Sequence, residues 1–421
     1  MRRMFQTIGL LVMLAVYGFD SHAQTPAAKL NQLAGSAKVR RALDYLKATE
    51  ETTISDQIKA CEIPAPTFKE EKRAAYFKQR FTEFGLKNVR IDAVGNAIGE
   101  RPGTSNGPVL VLAAHLDTVF PEGTDVTVKR QGTLLRGPGI GDDCRGLGVL
   151  LGIVRALNEA RIETDGTIIF VANVGEEGLG DLRGVRHLFN HELKGRATHF
   201  ISIDGTGLDI TNVAVGVERY RVTFKGPGGH SYGAFGLPSP IHALGRAIEK
   251  IARFQVPKSP KTTFNVGRID GGTSVNSIAH TAWMEVDMRS ESVTELARLD
   301  AEFKKVIQAA LDEENAFWQS SRKLTVEVKS VSQRPAGVQA VDSPIVQIAM
   351  AADTILGIKS RLTSGSTDSN IPISLGIPAI TIDGGGVGRG AHSLDESFDT
   401  TNSHLGTQRT LLIVLGLVGS K

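Results

Sequence analysis

Three apolar runs set the limits on this fold. VLVLAAH (residues 109–115), TIIFVANV (167–174) and THFISID (198–204) each read as a buried strand that breaks into polar residues at its carboxyl end. Between and around them the pattern turns helical. Helical periodicity covers residues 39–62, where Pro64 and Pro66 break it, then 68–84, closed by Gly85, and then 145–160. Strands alternating with helices predict an α/β fold, a mainly parallel sheet flanked by helices. In such sheets a site lies beyond the carboxyl ends of the strands, and the polar clusters of this chain fall there. The glycines, 46 in all, sit largely in loops between the short apolar runs.

The pattern changes near Glu218. RYRVTFKG alternates as a half-exposed strand does, and a helix follows over 240–254. TTFNVGRID and HTAWMEVDMRS read as strands, 293–314 as a long helix, and LTVEVKSV alternates again. That β-α-β-β-α-β order describes an α+β sandwich of one antiparallel sheet and two helices over 218–331. The α/β pattern then returns with a helix near 343–356, a strand at PAITID and a last helix from about His404. The second domain is therefore expected to be inserted into the first, which comprises 24–217 and 332–421. There is no internal repeat and no low-complexity tract.

Residues 1–23 have the form of a secretory signal peptide. Arg2 and Arg3 precede an apolar run over 8–17, and Ser21-His22-Ala23 offers a small-x-small cleavage site near Ala23. The run is shorter than the roughly 18 apolar residues that a membrane span needs. An exported protein, periplasmic or secreted, is expected. LLIVLGLVG near the C-terminus is also too short to span and should pack as the end of the last helix. Of the 421 residues, 41% are hydrophobic and 22% charged, and the net charge is only +3, so neither nucleic acid nor an acidic membrane surface is indicated as a partner. Cys61 and Cys144 do not make a disulfide framework and are read as two separate thiols.

Gly229-His230-Ser231-Tyr232-Gly233 matches the G-x-S-x-G pattern of a serine hydrolase nucleophile elbow. The context does not fit. Gly226-Pro227-Gly228-Gly229 separates the preceding strand from Ser231, and Pro238 and Pro240 follow too soon for a helix to start at the serine.

The polar clusters at the strand ends carry more. His115 and Asp117 follow the first strand in AAHLDTV. GPGIGDDCRGLG places Asp142 and Asp143 after a glycine loop and before a helix; such acids commonly cap, and that reading suffices for Asp143. NVGEEGLGDLRG puts Glu176 and Glu177 after the next strand, with glycines on both sides. Asp204 ends the strand after that, and His392 follows Gly384-Gly385-Gly386 in GRGAHSLDE. Each cluster alone has an ordinary reading as a solvated turn, a cap or a loop histidine. All five together, at the ends of strands, offer the mixture of carboxylate and imidazole that zinc accepts.

In this order these motifs resemble those of the M20 metallopeptidases, and most of all the peptidase T and carboxypeptidase G2-like branches. The resemblance covers essentially all of the mature chain. It implies two zinc ions, with cobalt or manganese as substitutes. One would be held by His115 and Asp204, the other by Glu177 and His392, with Asp142 bridging. It implies Glu176 as general base and Asp117 as the group that orients His115. The inserted domain would serve as a lid and dimerisation domain. His230 would reach the active site of the partner in a homodimer and stabilise the oxyanion, and Asn276 and Arg289 would contact substrate. The implied substrates are short peptides or, alternatively, N-acyl amino acids. Many members carry Lys after the paired aspartates; here Cys144-Arg145 stands there, and Arg145 is expected to supply the positive charge.

Overall fold

The computed structural model describes residues 25–420. The signal-peptide reading falls on residues 1–23 and lies outside the described residues.

The strands Thr167–Asn173, Val109–His115, His199–Ile203 and Ala379–Ile382 lie side by side in that order and all run parallel. Their side chains alternate between two covered faces. Leu110, Leu112 and Ala114 pack with the helices Cys144–Glu159 and His404–Val418, while Val111 and Ala113 pack with Val185, Leu188 and Phe189 on the other side. The margins depart from the expected parallel pattern. Lys87–Ile91 and Ala97–Arg101 form an antiparallel pair beside Thr167–Asn173, and Ile210–Ala214 runs antiparallel to Ala379–Ile382. The sheet is therefore mixed. The hairpin is possible because antiparallel strands need no crossover, and the Asp92 carboxylate closes it by accepting from the backbone of Val94, Gly95 and Asn96.

The helical stretch expected over 39–62 is two helices, Ala37–Ala48 and Glu50–Cys61. They meet at Thr49, whose backbone leaves the helical region (ψ 21°) and whose hydroxyl donates back to the Tyr45 carbonyl. The glycines of Cys144–Glu159 are not loop residues. A side-chain carbon on Gly148 would stand 3.1 Å from the Thr53 carbonyl, so its absence lets the helix Glu50–Cys61 lie close against this one. Cys61 and Cys144 are free, buried thiols in one small apolar cluster with Ile54, Ile140 and Phe398.

Residues 216–334 build a separate antiparallel sheet in the order Thr262–Gly271, Thr281–Ser290, Gly216–Lys225, Thr325–Arg334. The helices Pro240–Ile251 and Val293–Trp318 cover one face, which carries Tyr220, Val222, Phe224, Met284, Val286 and Met288. The intervening positions Arg219, Arg221, Trp283, Glu285, Asp287 and Arg289 fall on the other face. Ser231 lies in a turn just after the two-residue strand Gly229–His230, and no helix starts there, so the nucleophile elbow is ruled out. The last helix, His404–Val418, is almost wholly buried, and no helix among the described residues is long and apolar enough to cross a membrane.

Arg145 does not bring its charge to the strand ends, contrary to expectation. Its fully buried guanidinium donates to Glu50 Oε1 (2.9 Å), to the carbonyls of Gly384 and Ser403 (2.7 Å each) and to the Thr407 hydroxyl. It ties three segments together. Removing one partner of a buried, hydrogen-bonded pair costs about 3–5 kcal/mol. Arg145→Ala should lower unfolding stability by about that amount in equilibrium denaturation; a loss below about 1 kcal/mol would show that the network is not structural.

Candidate metal centre

The site residues gather beyond the carboxyl ends of the parallel strands. His115 is the last residue of its strand. Its Nδ1 lies 3.0 Å from the Asp117 carbonyl, which can only accept, so Nδ1 donates there and Nε2 is the nitrogen turned toward the other site residues. That Nε2 sits 3.0 Å from Asp142 Oδ1 and 3.9 Å from Asp204 Oδ1. Across the site, His392 Nε2 lies 3.1 Å from Asp142 Oδ2 and 2.9 Å from Glu177 Oε1. The two oxygens of Asp142 thus face two different imidazoles, with Asp204 beside one and Glu177 beside the other. His392 holds this place with a left-handed backbone (φ 65°), a conformation that residues with side chains seldom adopt and that recurs at functional sites.

The loop carrying Asp142 is shaped by a residue that the sequence reading did not single out. Glu396 accepts from the backbone N–H groups of Gly139, Gly141 and Asp142 at 2.8–3.0 Å. Asp143 behaves as the cap expected of it, accepting from Gly146 N, and its other oxygen accepts from His115 N. Gly146 allows this closeness, because a side-chain carbon there would fall 2.3 Å from the Ile203 carbonyl.

Asp117 meets His115 Nδ1 twice, with its backbone carbonyl at 3.0 Å and with its carboxylate Oδ1 at 3.7 Å. The carboxylate accepts from Glu176 N and Glu177 N at 3.0 Å and from the Thr67 hydroxyl at 2.9 Å. It therefore sets the turn that aims the two glutamates apart. Glu176 is met by Arg334, a second residue missed in the sequence: Nη1 donates to Glu176 Oε1 at 2.9 Å and Nη2 donates to the Glu176 carbonyl. The only signal for Arg334 was its position at the end of an alternating strand, before Pro335.

The electrostatics are those of an anion-rich pocket. Burial pushes the Asp204 carboxyl up to about 7 and the Glu176 carboxyl well above its usual range, the latter against the pull of Arg334. Hydrogen bonds to Asp142 and Glu177 hold the His392 imidazole up at about 10. A divalent cation beside these groups would favour their deprotonated forms. One donor atom each from His115, Asp142 and Glu177 lies within 4.8 Å of the others. Imidazole nitrogen with carboxylate oxygen is a donor set that fits zinc and its first-row neighbours.

A cleft of about 460 Å³ opens over the site. Asp142, Glu176, Glu177, Asp204 and His392 line it from the large sheet, and Arg219, Arg289 and Arg334 from the small one. Arg289 thus reaches the cleft, while its Nε donates to Asp287. His230 and Asn276 do not line it. They lie together on the small unit, joined by a bond from Ser231 N to the Asn276 carbonyl (2.9 Å), and His230 is exposed.

The family Peptidase family M20/M25/M40 matches residues 111–415. An uncharacterized Bacillus subtilis protein, YqjE, is 26% identical over 354 residues, covering 79% of this chain and 90% of its own. Carboxypeptidase G2 of a Pseudomonas species is 28% identical over 313 residues, 71% of each chain. The crystal structure of a Staphylococcus aureus tripeptidase superposes with a TM-score of 0.72 at 23% identity, covering 87% of this chain and 97% of that one. The family match spans well over half of the chain, and with the strand-end histidines and carboxylates it makes this protein a member of the M20/M25/M40 peptidase family, a hydrolase of peptide or amide bonds.

Proposed function

We propose that the chain is a two-metal exopeptidase that cleaves the amide bond of short peptides. The observation that carries this is Asp142, whose two oxygens each stand about 3 Å from a different histidine. His115 and Asp204 would hold one cation, Glu177 and His392 the other, and Asp142 would bridge; zinc is the proposed ion, with cobalt or manganese able to replace it. Such a pair supplies Lewis acidity, polarising an amide carbonyl and making water a better nucleophile at neutral pH.

The chain's own residues do the rest. Arg334 occupies Glu176 Oε1, which leaves Oε2 to take a proton from the attacking water and hand it to the leaving amine nitrogen. Arg289 and Arg219 offer forks to a substrate carboxylate at the cleft wall. That contact also suits an N-acyl amino acid, which presents the same amide and a free carboxylate, and this is the alternative substrate class.

We further propose a homodimer in which His230 of a second copy completes the oxyanion site, with Asn276 beside it contacting substrate. Support comes from the ring itself. His230 Nδ1 accepts from Tyr232 N and Gly233 N, so the neutral ring carries its proton on Nε2, free to donate. Export of the mature chain, read from residues 1–23, belongs to the same proposal.

Glu176→Gln should lower kcat by about 10³-fold or more while metal content, measured by elemental analysis, stays at two per chain. Chelation should abolish turnover of the unmodified enzyme and zinc or cobalt should restore it; activity that survives chelation would end the metal reading. His230→Ala should reduce kcat by about 10²-fold with an unchanged dimer mass in light scattering, and an unaffected kcat would remove His230 from the site. Sequencing the mature protein from its native host should begin near Gln24; retention of Met1 would show that the leader is not cleaved.

A further inference from the structure

We infer that the open face of the four-stranded sheet is an extended subsite that selects substrates bearing carboxylates about two residues beyond the cleaved amide. This rests on the amide-hydrolase reading above. A second cavity, of about 540 Å³, lies against that face, roofed by the exposed Leu179 two residues after Glu177. Arg219 lines both this cavity and the cleft over the metal centre, so the two meet at that side chain.

From Arg219 the lining is cationic. Arg221 is two residues further along the same strand, about 7 Å on for an extended backbone. Lys329 stands opposite Arg221 in the sheet register, and Arg268 comes from the edge strand. Two carboxylates are shared out among the guanidiniums. Asp287 serves Arg219 and Arg289 (2.6 and 2.8 Å), and Glu285 serves Arg221 and Arg268 (3.0 Å each). With Lys329 added, the track keeps a clear surplus of positive charge. Trp283 holds the planes in place, its ring lying 3.7 Å from the Arg221 guanidinium and 5.4 Å from that of Arg268. A surface built only for folding would gain little from such half-exposed ion pairs.

The spacing identifies the ligand. An extended peptide also advances about 7 Å in two residues. A chain whose amide sits over the metal centre would therefore run past Arg219 and turn one of two successive acidic side chains toward Arg221 and Lys329. The cavity is too small for a folded partner, and it opens at the catalytic cleft, so the occupant is the distal part of the substrate: a short acidic peptide.

The test uses the full-length, metal-loaded enzyme and a short peptide that it cleaves. That peptide is extended by Gly-Gly, Glu-Glu or Lys-Lys on the amino or the carboxyl side. On one side Glu-Glu should exceed Gly-Gly in kcat/KM by about tenfold at low ionic strength, with the gap closing in about 0.5 M salt. R221Q/R268Q/K329Q should bring Glu-Glu down to the Gly-Gly value and leave the unextended peptide within about twofold, since these side chains lie outside the catalytic cleft. R268E/K329E should move the preference to Lys-Lys, which a loss of packing could not do. Equal values for Glu-Glu and Gly-Gly on both sides would overturn the inference and leave the hydrolase reading intact. So would a triple variant that loses the unextended peptide to the same degree. Failure to cleave any peptide or N-acyl amino acid would overturn the hydrolase reading and this inference with it.

Discussion

Glu396 collects the backbone N–H groups of Gly139, Gly141 and Asp142 into one carboxylate, and the position of Asp142 depends on that knot. Gly141 lets the carboxylate come close, since a side-chain carbon there would stand 3.1 Å from Glu396 Oε1, and Gly139 takes a left-handed turn (φ 80°) to bring the N–H groups round. The knot is formed across a sequence separation of more than 250 residues, so the site exists only when the last part of the large unit has docked on the first. Because His392 lies in the same short segment as Glu396, docking delivers a ligand and the loop's anchor together. Arg145 fastens the same junction from below by holding Gly384 and Ser403 against Glu50.

Several carboxylates crowd this pocket, and each has a separate means of staying in place. Asp143 is drawn to a helix start and the His115 N–H, Asp117 to the N–H groups of the two glutamates, and Glu176 to Arg334. Asp142, Glu177 and Asp204 have only imidazoles for neighbours among these fixed groups, or, for Asp204, a carboxyl held up by burial. The division is chemical. The acids with neutral donors or a guanidinium are held by the protein itself, and those left facing a common point are the ones to which we assign the proposed cations. Adjacent residues fall on opposite sides of it: Asp142 and Asp143, Glu176 and Glu177.

The strand-end residues were legible in the sequence because an apolar run that stops abruptly at His115, Asn173 or Asp204 marks both a buried strand and its exit. The order of elements over 216–334 was legible for a similar reason, since half-exposed strands alternate cleanly. What could not be read was anything set by docking. The edge strand Lys87–Ile91 is short and largely exposed, so no apolar run announces it. Glu396 and Arg334 act on partners 257 and 158 residues away. Arg145 looked like a site charge because Cys144-Arg145 stands where many members of the family carry Lys, and only the structure shows the carbonyls and Glu50 that bury it. Asp117 meets the histidine with its carbonyl and, more distantly, its carboxylate, and the period of a strand end shows neither contact.

Arg334 explains why the four-stranded unit matters to chemistry carried out on the large sheet. It is the last residue of the strand Thr325–Arg334, and its guanidinium reaches the side chain and the carbonyl of Glu176. Any movement of the small sheet relative to the large one therefore moves the partner of the proposed base. A rigid seam would fix that base in one protonation environment. A seam made of a buried ion pair and a few side-chain hydrogen bonds, such as Ser332 to Asp181 and Asn370 to the Pro335 carbonyl, would let substrate bound against Arg219 and Arg289 bias the same junction. Substrate carboxylate and base would then be coupled through a single strand pair, with Arg219 facing Asp287 in the register and Arg334 two residues beyond the partner of Arg219 on the other side.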